Sequence, residues 1–248
     1  METEWKQQIE TLREILVNSE RLVFLGGAGV STESGIPDYR SASGLYNQDS
    51  GEFYSGATIL SHSFFMKHPD IFYRYYKGKL IHKEAKPNRA HEVLANLEAD
   101  NHVSLIITQN IDGLHELAGS KLVYDIHGNM YRNYCIDCNK EYELDYIINT
   151  EKEVPRCNVC GGIIRPDVVL YEEGLDSELL QDAIRKISLA DTMLVGGTSL
   201  EVNPARGLVQ YFTGKNLVFI NLEATGMDQW ATMIIRGKIG EVLDATGL

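Results

Sequence analysis

Four times along the chain an amphipathic helical pattern runs into a short apolar strand that stops at a glycine or polar cluster, and this alternation limits the fold more than any other feature. Trp5, Ile9, Leu12, Ile15 and Leu16 share one helical face ahead of Leu22 to Leu25, which stops at Gly26-Gly27-Ala28-Gly29. Ala90, Val93, Leu94 and Leu97 form the next such face, with Pro87 expected in its first turn, and lead to Val103 to Thr108 and then Gln109-Asn110. Ser177, Leu180, Ile184 and Ile187 precede Asp191 to Val195 and Gly196-Gly197-Thr198-Ser199. Asn203-Pro204 is expected to cap and open a helix through Leu208 to Phe212, followed by Leu217 to Ile220 and Asn221. Apolar strands separated by helices need crossover connections, so the reading is α/β, a Rossmann-like doubly wound parallel sheet with helices on both faces. Ligands in such sheets bind beyond the carboxyl ends of the strands, which is where these clusters fall.

Two stretches break the alternation. Residues 39–85 are rich in aromatics and show no strand pattern, so they read as an inserted helical module. Residues 131–165 hold all four cysteines and read as a second inserted module. The α/β pattern itself occupies 1–38, 86–130 and 166–248, a discontinuous domain onto which both insertions are expected to pack.

Composition narrows the class further. At 248 residues with 44% hydrophobic side chains, the chain builds a core without disulfide support. No apolar run approaches the length of a membrane span, and the acidic start Met1-Glu2-Thr3-Glu4 does not resemble a signal peptide, so no membrane partner and a cytoplasmic location are expected. A net charge of −12 opposes sequence-blind nucleic-acid binding. The cysteine-bearing module carries five basic against six acidic residues and offers phosphate no attraction either. No nucleic-acid partner is expected, and the chain is expected to act as a monomer.

Cys135-x-x-Cys138 and Cys157-x-x-Cys160 stand 18 residues apart, a spacing suited to one four-thiolate zinc ion. With four thiolates and no open position the metal is structural, which makes residues 131–165 a zinc-ribbon insertion. Two disulfides or a redox pair are the alternatives, and a reducing compartment disfavours the first. The small residues of Gly26 to Ser31 let backbone N–H groups approach a pyrophosphate, although the same glycines also suit a plain strand-to-helix turn. Thr32 occupies the third glycine position of the dehydrogenase fingerprint, and no strand-ending acid follows about 20 residues on. Ordinary hydride transfer is therefore disfavoured. Gln109-Asn110-Ile111-Asp112 brings amides, an aliphatic and an acid to a strand end, a set able to grip a carboxamide, while His127 ends the next strand with a side chain suited to general-base work. Gly197, Thr198, Ser199 and Asn221 complete the rim, as phosphate or ribose contacts or as simple helix caps.

Taken together, Gly27-Ala28-Gly29-Val30-Ser31, Glu33 to Arg40, Gln109-Asn110-Ile111-Asp112, His127-Gly128, the two cysteine pairs and Gly197-Thr198-Ser199 resemble the sirtuins in order and spacing over nearly the whole chain. Gly26 to Tyr46 and Val168 to Glu173 look most like the bacterial Firmicutes branch. The resemblance implies an NAD-dependent protein-lysine deacylase that consumes NAD, transfers the acyl group to ADP-ribose and releases nicotinamide. It implies pyrophosphate contacts at Ala28, Gly29 and Thr32, with Arg40 nearby, Ser199 and Asn221 toward the adenosine, and Gly197, Thr198 and Ile239 as further cofactor contacts. Nicotinamide is implied at Ile111 and Asp112 beneath Tyr39, with Gln109 and Asn110 at its ribose, Asn110 and His127 being the catalytic pair and His127 the general base. An acyl-lysine protein or peptide is implied as the partner, adding as a strand along Val168, Val169 and Leu170. Tyr171-Glu172 departs from the Phe-Gly of many members, and Tyr73-Arg74-Tyr75-Tyr76 lacks the Tyr-x-x-Arg pair of members that remove acidic acyl groups, so neutral acyl groups are expected. Mono-ADP-ribosyl transfer from the same cleft is the rival activity, and a non-enzymatic NAD-binding scaffold the rival class.

Overall fold

The computed structural model describes residues 2–203 and 205–248. Six parallel strands, β1 (Leu22–Gly26), β2 (Val103–Thr108), β3 (Val123–Asp125), β7 (Thr192–Gly196), β8 (Asn216–Asn221) and β9 (Met233–Arg236), form one sheet in the order β3-β2-β1-β7-β8-β9. The chain leaves β1 in one direction and later resumes on its other side at β7, so the crevice between those two strand ends is the switch point where doubly wound sheets bind ligands. Register places Gly26 between Thr108 and Gly196, which aligns three of the expected clusters at one edge.

Alternation along the strands builds a core on each face. Leu22 and Phe24 enter a cluster with Leu12 and Leu16 of helix α1 (Glu2–Val17), Leu94 of α5 (Arg89–Ala99) and Leu243 of α10 (Ile239–Ala245). Val23 and Leu25 face the opposite way, toward Ala183 and Ile187 of α8 (Ser177–Leu189) and Leu208 of α9 (Ala205–Leu208). The second helix starts two residues later than Pro87 suggests. Asn88 caps it, its Oδ1 accepting from the Ala90 N–H at 2.9 Å while His91 Nδ1 accepts from the Asn88 N–H at 3.2 Å. The expected Asn203-Pro204 cap includes Pro204, which lies outside the described residues.

The first insertion is helical from Gly56 onward, through α2 (Gly56–Ile59), α3 (His62–Lys67), α4 (Pro69–Tyr75) and a π-helical turn at Tyr76–Leu80. In the second, β4 (Gly128–Cys135) pairs antiparallel with β5 (Glu141–Glu143) and β6 (Ile164–Val168), and α7 (Leu144–Asn149) follows β5. This small sheet starts at Gly128 and runs to Val168, three residues past the sequence boundary at either side. The two insertions share one apolar cluster: Phe65, Phe72, Tyr73 and Tyr76 of the helices join Met130, Tyr142, Ile147 and Ile164 of the ribbon. They form a single second lobe, with the cleft between it and the large sheet. Among the described residues no helix is long and apolar enough to cross a membrane.

Candidate active site

The glycine turn after β1 is stitched to the turn after β7. The Gly29 N–H donates to the Gly197 carbonyl at 2.8 Å, and Gly197 has φ +59°. A Cβ on Gly29 would lie 2.7 Å from Gly197 Cα, and one on Gly197 would lie 2.4 Å from the Val30 nitrogen, so neither turn tolerates a side chain. Instead of a regular helix, the chain makes two short 3-10 turns, Ala28–Val30 and Thr32–Ser34, with Thr32 Oγ1 donating to the Gly29 carbonyl at 2.9 Å. Asn88, the helix cap, reaches across to donate to the Val30 carbonyl at 2.8 Å and holds the turn from outside.

The cleft above this turn has a volume of about 1260 Å³. Ala28, Gly29, Thr32, Tyr39, Arg40, Gln109, Asn110, Ile111, His127, Val168, Val169, Leu170, Gly197, Thr198, Ser199, Asn221 and Ile239 all line it. Asp112 is the one cleft residue of the sequence reading that does not; it lies just beneath the wall, 8% exposed. Ser31 Oγ donates to Asp112 Oδ2 at 2.7 Å and accepts from Asn110 Nδ2 at 3.0 Å, so one hydroxyl ties the acid to the amide. Burial pushes the Asp112 carboxyl upward, while the bonds from Ser31 and from the Leu114 N–H counter it. Gln109 Nε2 donates to Thr198 Oγ1 at 3.0 Å, and the Thr198 N–H donates to Asn221 Oδ1 at 2.9 Å, linking the ends of β2, β7 and β8.

His127 Nδ1 lies 2.9 Å from the Gln109 carbonyl oxygen. A carbonyl only accepts, so Nδ1 carries the proton and Nε2 is left as the basic nitrogen. Burial pulls the imidazole pKa below its usual value; the Gln109 carbonyl opposes that shift and the Arg40 charge reinforces it.

The peptide strand is more occupied than the sequence suggested. The Val169 N–H donates to the His127 carbonyl at 2.8 Å, the Leu170 N–H to Glu173 Oε2 at 2.9 Å, and Arg165 to the Val168 carbonyl at 3.0 Å. The Leu170 carbonyl accepts from the Glu173 N–H at 3.1 Å. Burial would raise the Glu173 pKa, yet the Arg165 guanidinium, the Leu170 N–H and His62 outweigh it and hold the carboxyl at about 2. The Val169 carbonyl accepts no hydrogen bond among the described residues.

The four cysteines stand apart from the cleft, in the ribbon. Their sulfurs lie within 4.8 Å of one another, with Cys135 to Cys160 at 3.4 Å and Cys138 to Cys157 at 3.6 Å. Tetrahedral Zn–S bonds of about 2.3 Å put sulfurs roughly 3.8 Å apart, so the set is positioned to hold one zinc ion. The cleft passes a corresponding test for a dinucleotide. Its glycine turns admit only backbone, and Asn221 Nδ2 is buried without a hydrogen-bond partner at the cleft wall.

The sequence reading left out Ser31, whose bridging role was available from its place in Gly-Ala-Gly-Val-Ser. It also left out Leu60 and Leu80, apolar wall residues from the helical insertion, and the Arg165–Glu173 ion pair at 2.7 Å behind the peptide strand. Nothing in the local sequence marks the leucines.

A strand-end cleft between a doubly wound sheet and a zinc-ribbon lobe, with a glycine cradle, an acid–serine–asparagine bridge and a lone imidazole, defines a class of dinucleotide-using enzymes. The Sir2 family model matches residues 27–204, and the chain belongs to that family. The NAD-dependent protein deacetylase of Clostridium acetobutylicum is 52% identical over 96% of this chain and 97% of its own. A Sir2 structure with deacetylated p53 peptide and 3'-O-acetyl ADP ribose superposes with TM-score 0.88 at 38% identity, covering 96% of both chains. A Sir2 bound to a propionylated peptide gives 0.85 at 37% identity, again over 96% of both chains.

Proposed function

We propose that this chain is an NAD-dependent protein-lysine deacylase that moves the acyl group of a modified lysine onto ADP-ribose and releases nicotinamide. The observation that carries the reading is His127, whose Nδ1 is committed to the Gln109 carbonyl and whose Nε2 is thereby the basic atom offered to a cleft built for a dinucleotide. The deacetylase relative and the Sir2 structures with acyl-peptide and acetyl-ADP-ribose support it.

When bound, NAD would supply a ribose carbon electrophilic toward the acyl oxygen, with nicotinamide as the leaving group. The residues of the chain hold, shield and deprotonate. Ala28, Gly29, Thr32 and Arg40 receive the pyrophosphate, and Gly197, Thr198, Ser199, Asn221 and Ile239 the adenosine side. Asp112 accepts the carboxamide hydrogens while Ile111 packs on the ring, and Ser31 fixes that carboxylate relative to Asn110. Gln109 and Asn110 would hold the ribose, and His127 Nε2 is placed to take a proton from its hydroxyls. Tyr39, half-buried at the cleft wall, covers the site and excludes water. An acyl-lysine amide has one N–H to satisfy, and the Val169 carbonyl, without a hydrogen bond among the described residues, accepts it, with Val168 and Leu170 flanking the peptide.

Arg74, the cation of the Tyr73–Tyr76 stretch, is turned to Glu52, Asp70 and Glu153 at the surface, and Tyr73 is tied to the Ile164 carbonyl, so the acyl group is neutral. Four unpaired cysteines set around one metal position support a reducing, cytoplasmic setting. Incubating an acetyl-lysine peptide with NAD tests the reading: the peptide loses the mass of one acetyl group. Gain of an ADP-ribose mass instead would establish the transferase activity.

A further inference from the structure

The loop that covers the cleft is internally tied. Asp38 Oδ1 accepts from the Arg40 and Ser41 N–H groups, the Leu45 N–H donates to the Asp38 carbonyl at 2.8 Å, and the Tyr46 N–H donates to the Tyr39 carbonyl at 2.9 Å. The rings of Tyr39 and Tyr46 lie 5.3 Å apart, and the Arg40 guanidinium sits 5.8 Å from the Tyr46 ring. Whatever fixes Tyr46 therefore fixes Tyr39 and Arg40, the two loop residues assigned above to nicotinamide and pyrophosphate. On the opposite wall, Tyr171 follows the peptide strand and is anchored by its backbone. Its N–H donates to the Leu60 carbonyl and its carbonyl accepts from the His62 N–H, both at 3.0 Å. The next residue, Glu172, has φ +79° without being glycine and is held there by Ser63, whose N–H and Oγ donate to its carboxylate at 2.9 and 3.0 Å.

From this rigid mount the Tyr171 hydroxyl reaches across to the Tyr46 hydroxyl at 2.9 Å. We infer that Tyr171 is a positioning residue: its hydroxyl latches the cofactor loop to the peptide wall and favours the closed form of that loop. The inference rests on the cleft being the NAD and acyl-lysine site. A net hydrogen bond contributes about 0.5–1.5 kcal/mol, so the closed-to-open ratio falls about twofold to tenfold without it. A loop that must then be closed by its ligands lowers the apparent NAD affinity by up to the same factor, and a second ligand that favours closure restores it.

Calorimetric NAD titrations of wild type, Y171F, Y46F and the double variant, with and without saturating acetyl-lysine peptide, test this. Loss of one hydroxyl leaves the rings in place. NAD alone should bind Y171F and Y46F about threefold to tenfold more weakly than wild type, with the double variant no weaker than either single, and peptide should restore most of the affinity. KM for NAD measured at subsaturating peptide should rise while kcat stays within about twofold, a split that general destabilisation would not produce. Wild-type NAD affinity in Y171F, or additive losses in the double variant, would overturn the latch while turnover by the wild type left the deacylase reading intact. A wild-type chain that neither bound NAD nor turned over peptide would overturn both.

Discussion

At the scale of single residues, the chemistry depends on which atom of each polar group is already engaged. His127 spends Nδ1 on a backbone carbonyl, and Ser31 spends its hydroxyl on Asp112 and its lone pair on Asn110, so their remaining atoms have fixed directions. Replacing His127 with Ala should lower kcat for deacylation by about 10²- to 10⁴-fold, the usual worth of a general base, in a chain that still folds. Because burial lowers its pKa, His127 stays neutral to a pH below the ordinary imidazole value, and activity is lost as pH falls through that lowered pKa. Wild-type kcat profiles should show this acid limb below pH ~6.5, and the alanine variant should lack it. The places of His127 and Asn110 on the cleft wall were legible in the sequence because each follows a strand end. The Val169 carbonyl, without a hydrogen bond among the described residues, was not, since which backbone groups of a strand remain available depends on Arg165 and Glu173 folding back onto it.

At the scale of elements, hydrophobic period and strand-ending polar clusters located the helices and strands that build the large sheet except the short α6 (Leu114–Leu117) and the last pair, β9 and α10, whose apolar residues are too few to stand out. Pro87 misplaced one helix start because Asn88 offers a stronger device, a side-chain cap with a reciprocal bond to His91. Regular structure in the helical insertion begins only at Gly56, since the segment before it is held by turns and side-chain bonds that leave no periodic trace. The cysteine spacing specified the ribbon directly. Its four thiolates replace much of the core a small sheet would otherwise need, so metal binding contributes folding energy. Exhaustive chelation should lower the thermal transition by roughly 5–10 °C and reduce activity through the shared lobe. An unchanged melting curve in fully demetallated protein would contradict the structural role.

At the scale of the whole molecule, the site exists only where distant segments meet. Residues from the ends of β1, β2, β7 and β8 form one wall, and the lobe made by the two insertions forms the other. The fusion of those insertions around Phe65, Tyr73, Tyr142 and Ile164 could not be read from either stretch alone, because each shows an apolar surplus without naming its partner. The joint order of motifs was enough to identify the cleft; the closeness of its two sides needed the three-dimensional packing. The central claim, that NAD cleavage and lysine deacylation are one reaction in this cleft, is tested most directly by mass balance on the wild-type enzyme with an acetyl-lysine peptide. One nicotinamide and one acetylated ADP-ribose should form for every acetyl group removed. Free acetate released without NAD consumption would contradict the account.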